Sequence, residues 1–189
     1  MPLFTTSESL SAALKKDDVV PDVIDEFPVT AILSPSYGEG KDVQFGNELP
    51  VSETQSIPAL YIAATKIAAD KAYTLVVTDP DAPTRGDKKW SEYAHYIATG
   101  IKLDASKEGE PQPIDLASAK SLLSYVGPAP PQGTGLHRYV FILFEGESSK
   151  TPADRPNWGF GKPGAGVREW IEDQDLKPVG LNFFVAKNE

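Results

Sequence analysis

A chain of 189 residues, 40% hydrophobic and 24% charged, is long enough for one well-buried core and short for two, so residues 1–189 are expected to form one domain of ordinary globular composition. The formal charge of −9, with no Lys/Arg cluster to offset it locally, argues against nucleic acid or an anionic membrane surface as partner. No apolar run approaches the roughly 20 residues of a spanning helix, and the absence of Cys removes disulfides, thiolate metal sites and cysteine nucleophiles.

In chain order, residues 1–10 have neither the basic start nor the apolar core of a signal peptide, and a cytoplasmic location is the expectation. Ser7 with residues 8–16 predicts a short helix, Ser7 acting as cap and Leu10 and Leu14 sharing one face. Strands are predicted at 28–33, 59–64, 73–78 and 93–98, as short apolar runs set between turns in a chain with 17 Pro and 15 Gly. Residues 114–123 predict one or two further helical turns. The run Tyr139-Val140-Phe141-Ile142-Leu143-Phe144 is almost wholly apolar, as a strand covered on both faces would be, and is the candidate central strand. A helix is predicted at 167–174, where Val167, Trp170 and Ile171 stand at helical spacing, and a last strand at 181–185. Residues 39–56, 104–113 and 145–157 read as long polar loops, of the kind that carry function or disorder. Mostly strands with a few peripheral helices make the fold mainly β, or α+β by a generous count.

Three features could carry chemistry. Asp79-Pro80-Asp81-Ala82-Pro83 leaves a predicted strand on a path stiffened by two prolines, so both carboxylates are held in place; plain turn chemistry is the commoner use of these residues. The chain has two histidines: His95 lies inside a predicted strand, and His137 opens the apolar run. Strand alternation puts His137 and Tyr139 on one face and Arg138 on the other, and a phenol beside an imidazole suits an oxyanion. Residues 125–135 contain three prolines and three glycines, a loop with little freedom to lose and hence a preorganised wall. Two Asp and two His are chemically adequate for zinc or iron, or for a hydrolytic base and its orienter. No HExxH or G-x-S-x-G supports either. Residues 159–164 match G-x-G-x-x-G formally, but no apolar strand precedes them and Pro163 interrupts the turn.

The string Val-Thr-Asp-Pro-Asp-Ala-Pro-Thr-Arg at 77–85, then Tyr93-Ala94-His95-Tyr96, then Pro-Pro-Gln-Gly-Thr-Gly-Leu-His-Arg-Tyr-Val-Phe-Ile-Leu-Phe-Glu at 130–145, resembles the two signature regions of the phosphatidylethanolamine-binding protein family in order and spacing. Residues 19–24, the late strand at 179–185 and Asn182-Phe183-Phe184 are similar to the fungal branch that includes carboxypeptidase Y inhibitors. The resemblance implies a large central antiparallel β-sheet with a smaller second sheet, a few helices, and an anion pocket at one end of the large sheet. It implies that Asp79, Asp81, Pro83, His95, Pro130, Pro131, His137 and Tyr139 line that pocket, with backbone from Gly127. The ligand implied is a phosphate or phosphoethanolamine headgroup: protonated imidazole, phenol and backbone N–H groups would take the phosphate, and a carboxylate the ammonium. No catalytic residue, metal or cofactor is implied. The expected role is binding, as inhibitor of a serine carboxypeptidase or as regulator of a signalling protein. In that branch inhibition depends on the N-terminal segment entering the protease, and residues 1–6 carry no motif specific to that role. Animal members end in a further helix whose aromatic closes the pocket, for which the residues after Phe184 offer no counterpart.

Overall fold

The computed structural model describes residues 3–189, with side chains from Glu8 onward; the N-terminal entry segment expected at residues 1–6 falls outside the described side chains. Among the described residues the helical segments are α1 (Leu3–Lys16), α2 (Val19–Asp22) and α3 (Val167–Ile171). The strands are β1 (Ala31–Ser36), β2 (Ala59–Ala64), β3 (Tyr73–Asp79), β4 (Tyr93–Ile101), β5 (Gln112–Pro113), β6 (Lys120–Leu123), β7 (His137–Glu145) and β8 (Lys177–Ala186). They form a three-stranded sheet in the order β1-β2-β5 and a five-stranded sheet in the order β6-β4-β3-β7-β8, antiparallel throughout. The expected large sheet, small sheet and few helices are all present.

Alternation along the strands builds two cores, one on each face of the large sheet. From β3 and β7, Leu75, Val77, Phe141 and Leu143 pack toward the small sheet, against Leu33, Leu60 and Ile62. The intervening Val76, Val140, Ile142 and Phe144 pack the opposite way, against Leu10 and Leu14 of α1 and Val167 and Trp170 of α3. Both faces of β7 are therefore dry, which explains its unbroken apolar run. Burial of each such large side chain stabilises the fold by roughly 1.5–3 kcal/mol. Where β1 crosses β8, a Cβ on Gly180 would lie 2.7 Å from the Ala31 carbonyl oxygen, so this close approach of the sheets needs glycine.

Several boundaries differ from expectation for identifiable reasons. Helix α1 starts at Leu3, which makes Ser7 an interior residue rather than the cap. The first strand runs 31–36 rather than 28–33; β2 is its partner strand, with a lone bridge from Ser36 to Asp42 on the other side, and Pro35 is tolerated because an edge strand can forgo one N–H. Residues 120–123, expected to be helical, instead form β6, pairing Leu123 with Ile97 and Lys120 with Thr99, because the open edge of β4 needs partners for its backbone. Residues 112–113, expected in a loop, pair with β2. The predicted helix at 167–174 stops at Ile171. Strand β7 is interior, as expected, but the middle position belongs to β3, all seven of whose residues are buried. Residues 159–164 form a loop that leads into α3, not a nucleotide-binding turn. No helix among the described residues is long and apolar enough to cross a membrane.

Candidate functional site

At one end of the large sheet, on the face that carries the small sheet, lies a cavity of about 170 Å³. Its floor comes from Asp79, the last residue of β3, and from His137 and Tyr139 at the start of β7. Alternation puts these three on one side, and Arg138 points to the other. The sides are His95 and Tyr93 from β4, Pro83 after β3, and Gly127, Pro130 and Pro131 from the stiff loop. His95 arrives through a β-bulge. The ladder passes from Val77–Tyr96 to Thr78–Ala94, so His95 is an extra residue without a partner, turned toward the cavity as bulges beside sites often turn a side chain. The loop is stapled down by Gln55, whose Nε2 donates to the carbonyls of Pro128 at 2.8 Å and Val51 at 2.7 Å. A Cβ on Gly127 would come within 2.8 Å of Gln55, so glycine is required for that approach.

Eight of the nine residues expected at the pocket border this cavity, and Asp81 does not. It is fully buried on the opposite side, where its carboxylate accepts from Arg138 N at 2.9 Å, Nε at 2.8 Å and Nη2 at 2.7 Å. Burial pushes the Asp81 carboxyl up, but the hydrogen bonds and charge of Arg138 outweigh it and hold the group below the usual carboxylate range. Arg138 is itself buried and continues to Asp22 Oδ2 at 3.0 Å and the Asp17 carbonyl at 2.9 Å. The Asp81–Arg138 pair thus pins the α1–α2 region to the sheet behind the pocket.

Inside the cavity Asp79 is also engaged. Its Oδ2 accepts from His137 Nδ1 at 2.9 Å and its Oδ1 from the Asp81 N–H at 2.7 Å. His137 Nε2 meets Thr134 Oγ1 at 3.0 Å, and that hydroxyl donates to the Pro131 carbonyl at 2.7 Å. Each Asp79 oxygen thus already accepts one hydrogen bond, and the Asp81 carboxylate faces away from the cavity. His95 Nδ1 donates to the Val126 carbonyl at 2.7 Å. Burial pushes the His95 imidazole below its ordinary value, more strongly than the Asp79 carboxylate raises it; a standing imidazolium at His95 is therefore not what the site holds. Burial, reinforced by Asp79 and Asp81, keeps the Tyr139 phenol protonated far above its ordinary value, the Ala129 N–H only partly opposing. The Tyr139 hydroxyl proton has no acceptor among the described residues.

Sequence reasoning missed Ala82, Trp90, Tyr93, Val126 and Ala129, which also line the cavity. Period two from His95 points to Tyr93, and Val126 and Ala129 lie in the loop already singled out. Trp90 stands in a charged segment that gave no signal. Among the described residues no group of three or more His, Asp or Glu side chains is placed to hold a metal ion, which leaves the metal reading without a ligand set.

A family model described as phosphatidylethanolamine-binding protein matches residues 39–184. Carboxypeptidase Y inhibitor of Saccharomyces cerevisiae is 36% identical over 204 residues, covering 93% of each chain. The uncharacterized protein YLR179C of the same organism is 36% identical over 196 residues, covering 96% of this chain and 95% of that one. The crystal structure of carboxypeptidase Y inhibitor complexed with the cognate proteinase superposes with a TM-score of 0.91 at 33% identity, covering 97% of both chains. With the signature segments folded around one cavity and the match running through nearly the whole chain, this protein belongs to the phosphatidylethanolamine-binding protein family.

Proposed function

We propose that the protein is a non-enzymatic binder that holds a phosphate-type headgroup, such as phosphate or phosphoethanolamine, in the cavity between Asp79, His95, His137 and Tyr139. The observation that carries this reading is the Tyr139 hydroxyl, a buried donor bordering the cavity with no partner. A buried polar group left unpaired costs about 1–3 kcal/mol, and an oxyanion in the cavity would satisfy it. The stiff loop supports the reading too, since its prolines and the Gln55 staple leave little to order on binding. The test is an NMR titration with phosphoethanolamine, which the presence of two histidines makes simple to assign. Perturbation of both His95 and His137 is expected; an unmoved pair in a folded protein would reject the pocket.

A second reading, inhibition of a serine carboxypeptidase, is favoured by the similarity to carboxypeptidase Y inhibitor over the whole chain. It needs no chemistry from the pocket. An assay of carboxypeptidase Y with increasing amounts of the protein is expected to show stoichiometric inhibition, and full residual activity at excess protein would remove that role. Regulation of a signalling protein through the pocket rim would then be the remaining role for a binder.

A further inference from the structure

Two polar side-chain atoms of cavity-lining residues have no hydrogen-bond partner among the described residues, the buried Tyr139 hydroxyl and His95 Nε2, and they are of opposite kind. His95 Nδ1 is hydrogen-bonded to a carbonyl, which can only accept, so the ring proton sits on Nδ1 and the tautomer is set. Nε2, the other ring nitrogen of this cavity-lining residue, then carries a lone pair. The Tyr139 hydroxyl is a donor without an acceptor. The two rings meet edge to face with centroids 5.2 Å apart. Asp79 and His137, the other polar residues of the floor, already satisfy each other, the Asp81 N–H and Thr134.

The surroundings of His95 favour the neutral ring. Burial is the largest influence and opposes the cation, with Arg155 and His137 on its side; the Asp79 carboxylate and the Val126 carbonyl favour the cation and are outweighed. Arg155 Nη1 donates to the His95 carbonyl at 3.2 Å, and Tyr93 packs on the ring at 5.1 Å between centroids. These are the charged and titratable groups that β3, β4, β7 and the 155 loop bring to it.

Resting on the headgroup reading, we infer that the pocket selects an oxyacid that still carries a proton, a small phosphomonoester or phosphate in its hydrogen-bearing form, over a tetrahedral anion with none. The ligand P–OH donates to His95 Nε2 while a neighbouring phosphoryl oxygen accepts from Tyr139. A phosphodiester or a sulfate has no such hydrogen. It leaves Nε2 facing an oxygen lone pair, or binds only as a proton is taken up from solvent onto Nε2 to give the imidazolium. The same phosphate chemistry therefore divides by ester class, with monoesters entering directly and diesters entering with a proton.

The experiment is isothermal titration calorimetry at pH 6 with phosphoethanolamine, glycerophosphoethanolamine and sulfate, each in two buffers of different ionisation enthalpy so that proton uptake is counted. Phosphoethanolamine is expected to bind roughly 10- to 100-fold more tightly than the other two, the scale of one mismatched buried polar group, with proton uptake no greater than the dianionic share of the free monoester, about half at pH 6. Glycerophosphoethanolamine is expected to take up close to one proton per site. At pH 8, where the monoester has lost its proton, its advantage should shrink. His95→Gln keeps an acceptor and should keep part of the selectivity, whereas His95→Phe should abolish it; unfolding midpoints show whether each variant is folded. Equal affinity for all three ligands without proton uptake would overturn the inference while leaving an anion pocket in place. Heat from none of them would overturn the headgroup reading and this inference with it.

Discussion

Asp79 and Asp81 stand two residues apart, both buried, and each bonds a basic side chain near the start of β7, 58 and 57 positions away. Asp79 and His137 border an open cavity, whereas Asp81 and Arg138 are enclosed between the sheet and the α1–α2 region. Asp81 accepts three hydrogen bonds from Arg138, and Asp79 accepts one from His137. The same acid–base pairing on opposite faces of one strand therefore serves two purposes, a ligand wall on one side and an anchor on the other. On β7 the strand's period of two separates His137 from Arg138, and Asp81, two residues past Asp79, reaches the far side through the turn that its N–H closes on Asp79 Oδ1.

The largest effect expected from breaking either pair is at the anchor. Asp81→Ala leaves the Arg138 guanidinium buried with Asp22 as its remaining carboxylate and should cost about 3–5 kcal/mol in urea unfolding, the usual consequence of removing one partner of a buried pair. Asp79→Asn can still accept from His137 and should cost less, about 1–2 kcal/mol. Equal losses would mean that the two pairs do not differ in kind.

A third buried carboxylate, Glu92, sharpens the contrast because among the described residues it has no basic partner within hydrogen-bonding reach. Its Oε2 accepts from Thr78 Oγ1 at 2.9 Å and from the Val167 N–H at 3.4 Å, and burial pushes its carboxyl up to about 8. Between about pH 4.5 and pH 8 the native protein keeps a proton that the unfolded chain has released, so this group makes stability fall as pH rises through that window. Glu92→Gln should remove that slope and stabilise the protein at pH 8 by roughly 3–5 kcal/mol, read from urea midpoints across pH. His95 acts in the opposite sense: its lowered value means that the stability it contributes is present above about pH 6.5 and lost as pH falls below it. His95→Phe should flatten that acid limb in the same measurement.

The smaller effects lie at the wall and on the surface. Tyr139→Phe removes an unpartnered buried hydroxyl and should raise the stability of the ligand-free protein by about 1–3 kcal/mol, yet weaken phosphate binding in calorimetry. A large loss of stability would mean that the phenol has a structural partner. Lys150→Ala removes an exposed pair with Asp173 at 3.0 Å and should leave the unfolding midpoint unmoved within error.

Much of this arrangement is legible in one dimension. The apolar run at 139–144 and its alternation place Tyr139 and Arg138 on opposite faces, and the prolines beside Asp79 and in the 125–135 loop mark the segments that meet at the cavity. Residues 112–113 and 120–123 are not legible, because their strand character comes from the open edges of β2 and β4 rather than from their own side chains. Asp81 was misplaced for a related reason. Its spacing from Asp79 suggests a shared wall, but the turn closed by the Asp81 N–H on Asp79 Oδ1 sends its carboxylate to the far side.

What the sequence by itself determined is therefore the sheet-rich architecture, the family, and the set of segments from which the pocket is made, because apolar periodicity and stiff turns are properties of neighbouring residues. Tertiary structure alone decided that a bulge turns His95 to the cavity, that Arg138 captures Asp81, and that Glu92 is enclosed beside Thr78 while Trp158, 80 residues further on, donates to the same hydroxyl. Register, desolvation and hydrogen-bond partnership across such separations depend on which surfaces come together, and no local pattern in the chain encodes that.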